Sequence, residues 1–266
     1  MIRTNLFNQT DSHRITESLG AFSVLEYEKD ISVTPESAEM AYFASEMNVR
    51  KRQLIAKTTE ENGILVQAGA MQMMLGGITA VTDVKGAGDL VKKFLESSVT
   101  KETTIKPRYI GDGYVVLEPT FKYIILEDLQ KWNGTVLIED GMFLSCEDSI
   151  WLKVVPRNTL SSAVLGGEGL FNTVLSGEGV VAFESPVPAD ELIEVELTDD
   201  VVKLDGSMAI AWSEGLKFTV ERTTKTLIGS AASGEGLVNV YRGTGKVLVA
   251  PVERNIGISA PKKQKG

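Results

Sequence analysis

Along most of the chain, apolar and polar positions follow one another in short runs of five to seven residues, cut by glycine-bearing turns. That period predicts strands rather than helices. The clearest runs are Thr135–Glu139, Glu191–Leu197 and Leu216–Glu221. In the second of these, Glu194 and Glu196 alternate with Val195 and Leu197, so the carboxylates face water and the apolar groups a core. Asn62-Gly63, Asn133-Gly134, Asp140-Gly141 and Asp205-Gly206 punctuate the runs. Such pairs supply the positive φ that tight β turns require. Helical patterning is scarce. Thr34–Met47 has a candidate capping Thr34 followed by Pro35, which predicts an N-terminal helix. Asp89–Glu96 carries apolar residues at 90, 91, 94 and 95, and predicts a second short helix with single-turn counterparts at 160–165 and 227–232.

The runs repeat. Gly111-Asp-Gly113, Gly177-Glu-Gly179 and Gly243-Thr-Gly245 each precede an apolar run and a proline, and their first glycines stand 66 residues apart in both intervals. Gly167-Glu-Gly-Leu-Phe-Asn172 matches Gly234-Glu-Gly-Leu-Val-Asn239 at an offset of 67, and Lys101-Glu-Thr-Thr keeps only the acid. Several matches in one order at nearly one period indicate duplication. The expected fold class is therefore all-β, mostly antiparallel, with three internal repeats over 38–120, 121–187 and 188–253 and minor short helices. Residues 1–37 form a lead-in, 38–120 also carry a helical insert, and 254–266 form a mobile basic tail.

Composition then narrows the chemistry. The 266 residues contain a single His, His13, and a single Cys, Cys146, too few for a zinc site built from several of either or for an intrachain disulfide. The net charge of −9 weighs against a nucleic-acid partner, whose phosphates are held mainly by Lys and Arg. No apolar run approaches the ~20 residues that span a bilayer, and the first residues lack the apolar centre of a secretory signal. These features point to the cytoplasm.

Each motif also has a plain structural reading. The Gly-rich stretches lead into strands and lack the Lys-Ser/Thr of a phosphate loop, so Gly111, Gly113, Gly177, Gly179, Gly243 and Gly245 are read as turn glycines. Cys146 is read as a small buried hydrophobe and His13 as a surface residue. The pairs Glu60-Glu61, Glu147-Asp148 and Asp199-Asp200 are read as solvated turns. The methionines Met71, Met73 and Met74, and the tryptophans Trp132, Trp151 and Trp212, are read as core.

Taken together, Gln67-Ala-Gly-Ala-Met71, Asp140-Gly-Met-Phe-Leu144 and the repeated Gly-Glu-Gly-Leu stretches resemble the Altered-Inheritance-of-Mitochondria protein twenty-four family over roughly 22–253. The resemblance implies a fold similar to the tryptophan RNA-binding attenuation protein (TRAP-like), made of duplicated β-sandwich units related to double-stranded β-helices. It also implies self-association and no established catalytic residues. The expected role is a non-enzymatic, homo-oligomeric β scaffold or binding protein without a cofactor. A protein or peripheral-membrane partner stays open. The alternatives are a small-ligand or nucleic-acid binding module and a hydrolase using a carboxylate-bound metal. The last draws on Glu102, Glu168 and Glu235, the one acidic position present in all three repeats, as weak metal candidates.

Overall fold

The computed structural model describes residues 3–82, 106–156, 171–206, 208–222 and 237–252. The predicted helix at 89–96, its counterparts at 160–165 and 227–232, and the basic tail lie outside the described residues. The chain is mostly β. Strands β1 (His13–Leu19) and β2 (Phe22–Tyr27) form a hairpin, and α1 (Pro35–Glu46) follows. Next come β3 (Arg52–Thr58), β4 (Ile64–Val66), β5 (Met71–Gly76), β6 (Thr79–Val81), β7 (Arg108–Ile110) and β8 (Gly113–Leu117). The middle of the chain supplies β9 (Tyr123–Asp128), β10 (Thr135–Glu139), β11 (Phe143–Glu147), β12 (Ile150–Pro156), β13 (Phe171–Gly177) and β14 (Val180–Ser185). The last part gives β15 (Ile193–Asp205), β16 (Ala209–Ser213), β17 (Leu216–Arg222) and β18 (Leu237–Val249).

Among the described residues all pairings are antiparallel and build three sheets, ordered β1-β2-β3-β8-β5, β6-β7-β4-β11-β14-β9 and β12-β13-β10-β16-β18-β15, with β17 also on β18. One scheme recurs along the chain. β8 pairs with β3 and β5, β14 with β9 and β11, and the second half of β18 with the first half of β15 and with β16. β7 pairs with β4 and β6, β13 with β10 and β12, and the first half of β18 with the second half of β15 and with β17. A register shift falls at the same place in β5, β11 and β16, between Met71 and Met73, Phe143 and Ser145, and Ala209 and Ala211.

Glycine is required where these strands turn. At Gly111, with φ +118°, an added Cβ would stand 2.1 Å from the Gly77 carbonyl oxygen between β5 and β6. At Gly177, with φ +138°, it would stand 2.7 Å from the Ser149 carbonyl oxygen between β11 and β12. At Gly243, with φ +128°, it would stand 2.9 Å from the Gly215 carbonyl oxygen between β16 and β17. Gly243 lies inside the 13-residue β18, where the strand exchanges one set of partners for another.

Three main apolar clusters fill the space between sheets. One gathers Leu129, Trp132, Ile138, Phe143 and Phe183, another Phe22, Leu54, Ile64, Tyr109 and Leu117, and the third Trp212, Leu216 and Tyr241. The N-terminal hairpin is tied across sheets by Glu147, whose carboxylate accepts the Ala21 N–H at 2.7 Å and the Val180 N–H at 3.0 Å. Glu147 is thus a half-buried acceptor rather than the solvated turn acid its sequence context predicts, because two strand ends present donors that need a charge-bearing partner.

Helix α1 begins at Pro35 as predicted, after an extended Thr34. The Thr34 side chain makes no backbone capping bond; its hydroxyl meets the Ser37 hydroxyl at 3.3 Å and also bonds the Glu36 carboxylate. No residue of α1 is buried.

On β17, Glu221 accepts hydrogen bonds from Arg242 and Thr219, which hold its carboxyl down at about 2. A depressed carboxyl adds stability above its unfolded value, and that stability is lost as pH falls through the folded one. Glu221→Gln is therefore expected to lower Tm slightly at pH 7 and by less as pH falls toward 2, as thermal melts across that range would show. The effect is small because the pair faces water.

Candidate assembly edges

Two junctions inside the chain show how one group of strands joins the next. β4 pairs with β11 through Ser145↔Val66, Cys146↔Leu65 and Glu147↔Ile64. β10 pairs with β16 through Ile138↔Ala211, Leu137↔Trp212 and Val136↔Ser213. Cys146 and Trp212 at the centres of the junctions and Ile64 and Val136 beside them are sealed from solvent, while their central partners Leu65 and Leu137 are half-buried. Burial pushes the Cys146 thiol far up, which makes it an inert filler.

The strands that occupy the corresponding places at the two ends of the chain have no such neighbour among the described residues. β5 ends its sheet, and Met73 and Met74 are 37% and 40% exposed. Met73 and Met74 do not fill the core, as an apolar run suggests: among the described residues no strand lies beside them on that side. The second half of β15 ends the other sheet, with Val201 40% exposed and Val202 and Leu204 half-buried.

Backbone direction is readable at β5. The Gly77 N–H donates to the Asp112 carbonyl at 3.0 Å, and hydrogen-bonded and non-bonded pairs alternate along an antiparallel ladder. Counting back along the β5–β8 register, Leu75 spends its N–H and carbonyl on β8, while those of Met74 point to the bare edge. Cys146 holds the corresponding place in β11 and pairs with β4. An unpaired edge of this length is a template for another strand.

Other sequence-predicted residues fall elsewhere. Glu102, Glu168 and Glu235 lie outside the described residues. Among the described residues no three of His, Cys, Asp and Glu gather as a metal site, and no helix is long and apolar enough to cross a membrane. His13 lies in β1, partly exposed; its Nδ1 lies 3.0 Å from the Thr10 hydroxyl and its ring 6.0 Å from that of Tyr27. Trp132 and Trp212 are buried, but Trp151 is 60% exposed on β12, the end strand of its sheet. Asp148 pairs with Arg108, while Asp199 holds a positive φ of 51° at the irregularity in β15.

The fold and its edges define an all-β protein of antiparallel sheets in which, among the described residues, one strand toward each end of the chain lacks a neighbour on one side. The chain belongs to the AIM24 family: the family profile, described as "Mitochondrial biogenesis AIM24", matches residues 33–252. An uncharacterised protein of Streptococcus pyogenes serotype M6, M6_Spy0233, is 25% identical over 193 residues, 70% of this chain and 75% of its own. The crystal structure of SPYM3_0169, also from Streptococcus pyogenes, superposes with a TM-score of 0.57 at 24% identity, covering 78% of this chain and 90% of that one. That likeness is one of fold.

Proposed function

We propose that the protein is a non-enzymatic scaffold that assembles head to tail from three TRAP-like β units, those at 38–120, 121–187 and 188–253. One observation carries the reading. The orders β6-β7-β4-β11-β14-β9 and β12-β13-β10-β16-β18-β15 are the same arrangement of equivalent strands, each sheet shared by two successive units. The third such sheet is split. Its first half, β17 with β18 and the second half of β15, lies late in the chain, and its second half, β5-β8-β3, lies early. Joining β15 of one copy to β5 of the next completes it.

Carrying the two internal registers over sets the pairing as Leu75↔Val202, Met74↔Lys203 and Met73↔Leu204 between copies. The contact uses different surfaces on the two copies, so it generates a ring if the rotation closes and a filament if it does not. The carboxylates Glu147 and Glu221 are engaged in holding the fold, which favours architecture over a reaction. A lone buried thiol suits a reducing compartment such as the cytoplasm. Light scattering at micromolar concentration and ordinary salt tests the reading: the expected mass is a multiple of 28.8 kDa. A single-chain mass throughout would overturn it.

A further inference from the structure

Away from both edges, α1 stands over the sheet surface and borders an open cavity of about 990 Å³. This lies at the upper end of the range for small-molecule sites. From the helix, Met40, Ala41 and Ala44 face in; opposite them lie Phe121, Tyr123 and Met142. The floor is rigid. The Arg52 guanidinium sits 4.0 Å above the Tyr123 ring and pairs with Glu26 at 2.8 Å, and the Tyr123 hydroxyl donates to the Asn48 carbonyl at 3.2 Å. The apolar lining is left wet: Met40 is 70% and Phe121 60% exposed. A lining of that kind, concave and already formed, gains most by taking up an apolar molecule.

Charge narrows the class. Arg50, Lys51 and Lys122 line the cavity against Asp30 and Glu184, a cationic surplus in a chain of net −9. Behind the wall, Arg14, Arg50 and Arg52 share Glu26 and Glu28, and the acids of α1, Glu36, Glu39 and Glu46, are not among the lining residues. Lys51 pairs with Asp30 and Lys122 with Glu184. Their side chains are 35% and 55% exposed, free enough to exchange those partners for a ligand's anion. The geometry points to a site for a single-chain anionic amphiphile: we infer that the cavity binds the tail of a fatty acid, with the carboxylate at the Lys51–Lys122 rim. A concave pocket roofed by a helix takes one chain end-on, whereas a flat membrane surface would leave the Tyr123 side of the concavity uncovered.

Calorimetric titration of the full chain with palmitate, hexadecanol and hexadecyltrimethylammonium tests this, with methyl NMR of the methionines alongside. Palmitate is expected to saturate at one per chain and to shift the Met40 and Met142 methyls while Met73 and Met74 stay still. The alcohol and the cationic amphiphile are expected to bind about tenfold more weakly or worse, as loss of a charged hydrogen bond implies. Ala41→Trp and Ala44→Trp, which fill the space from an unburied helix, are expected to abolish binding without changing Tm or assembly mass. Equal affinity for the cationic amphiphile would overturn the assignment. So would binding unaffected by both tryptophan variants, or uptake only onto anionic vesicles. None of these results bears on the edge contact, which uses other strands.

Discussion

Met74→Pro is expected to convert the proposed assembly to single chains of 28.8 kDa that remain folded. Proline removes the one N–H of β5 that faces outward at the centre of the junction, and its ring blocks a neighbouring strand. Because the Leu75 pair with Tyr114, not the Met74 pair with Val115, carries the hydrogen bonds to β8, the internal ladder keeps its bonds. Leaving the partner's acceptor unsatisfied costs about 1–3 kcal/mol, which corresponds to association weakened by roughly 10- to 100-fold. Met74→Ala keeps the N–H and is expected to stay assembled. Sedimentation of the two variants side by side, with circular dichroism to verify folding, reads the difference. An assembled Met74→Pro protein would mean that β5 is not the contact.

The second large effect concerns the turn glycines. Gly111→Ala is expected to cost about 3–5 kcal/mol, the sum of backbone strain and forced contact. At φ +118° a side chain is strained, and here its Cβ would meet the Gly77 carbonyl at 2.1 Å, backbone that cannot rotate away. Gly69→Ala provides the comparison. Its φ is +81° but nothing lies within 4 Å of the added Cβ, so only the strain of about 1–3 kcal/mol applies. Urea unfolding of both variants should separate them clearly. Equal losses would mean that the close approach contributes nothing.

These glycines explain why so much of the fold is legible in the chain. A position that must combine positive φ with a carbonyl at contact distance accepts no other residue, so Gly111, Gly177 and Gly243 leave a spacing anyone can count. Runs such as Thr135–Glu139 and Leu216–Glu221 emerge as β10 and β17 for the same local reason: alternation is a property of one strand. What lies beside a strand is not written in it. Met73 and Met74 read as core because they sit in an apolar run like that of β11, which is paired on both sides, whereas β5 is paired on one among the described residues; Met71 does pack against the core. Trp151 is misread likewise, since β12 ends its sheet. Glu147 is hidden for another reason: the donors of Ala21 and Val180 come from segments distant in sequence, and no local pattern announces them. The long β15 and β18 absorb what alternation and glycine suggest are breaks, because their two halves serve different partners.

The head-to-tail contact is tested most directly by cysteine pairs placed across it. Met73 and Leu204 would face each other as a non-hydrogen-bonded pair with Cα atoms about 4.5 Å apart, within disulfide reach. The buried native Cys146 does not compete. Under oxidation, a chain carrying both Met73→Cys and Leu204→Cys is expected to give a ladder of covalent multimers. A mixture of the two single variants is expected to stop at dimers, each joining one chain of either kind. Dimers formed by either single variant alone, or no cross-link from the double variant, would contradict the account.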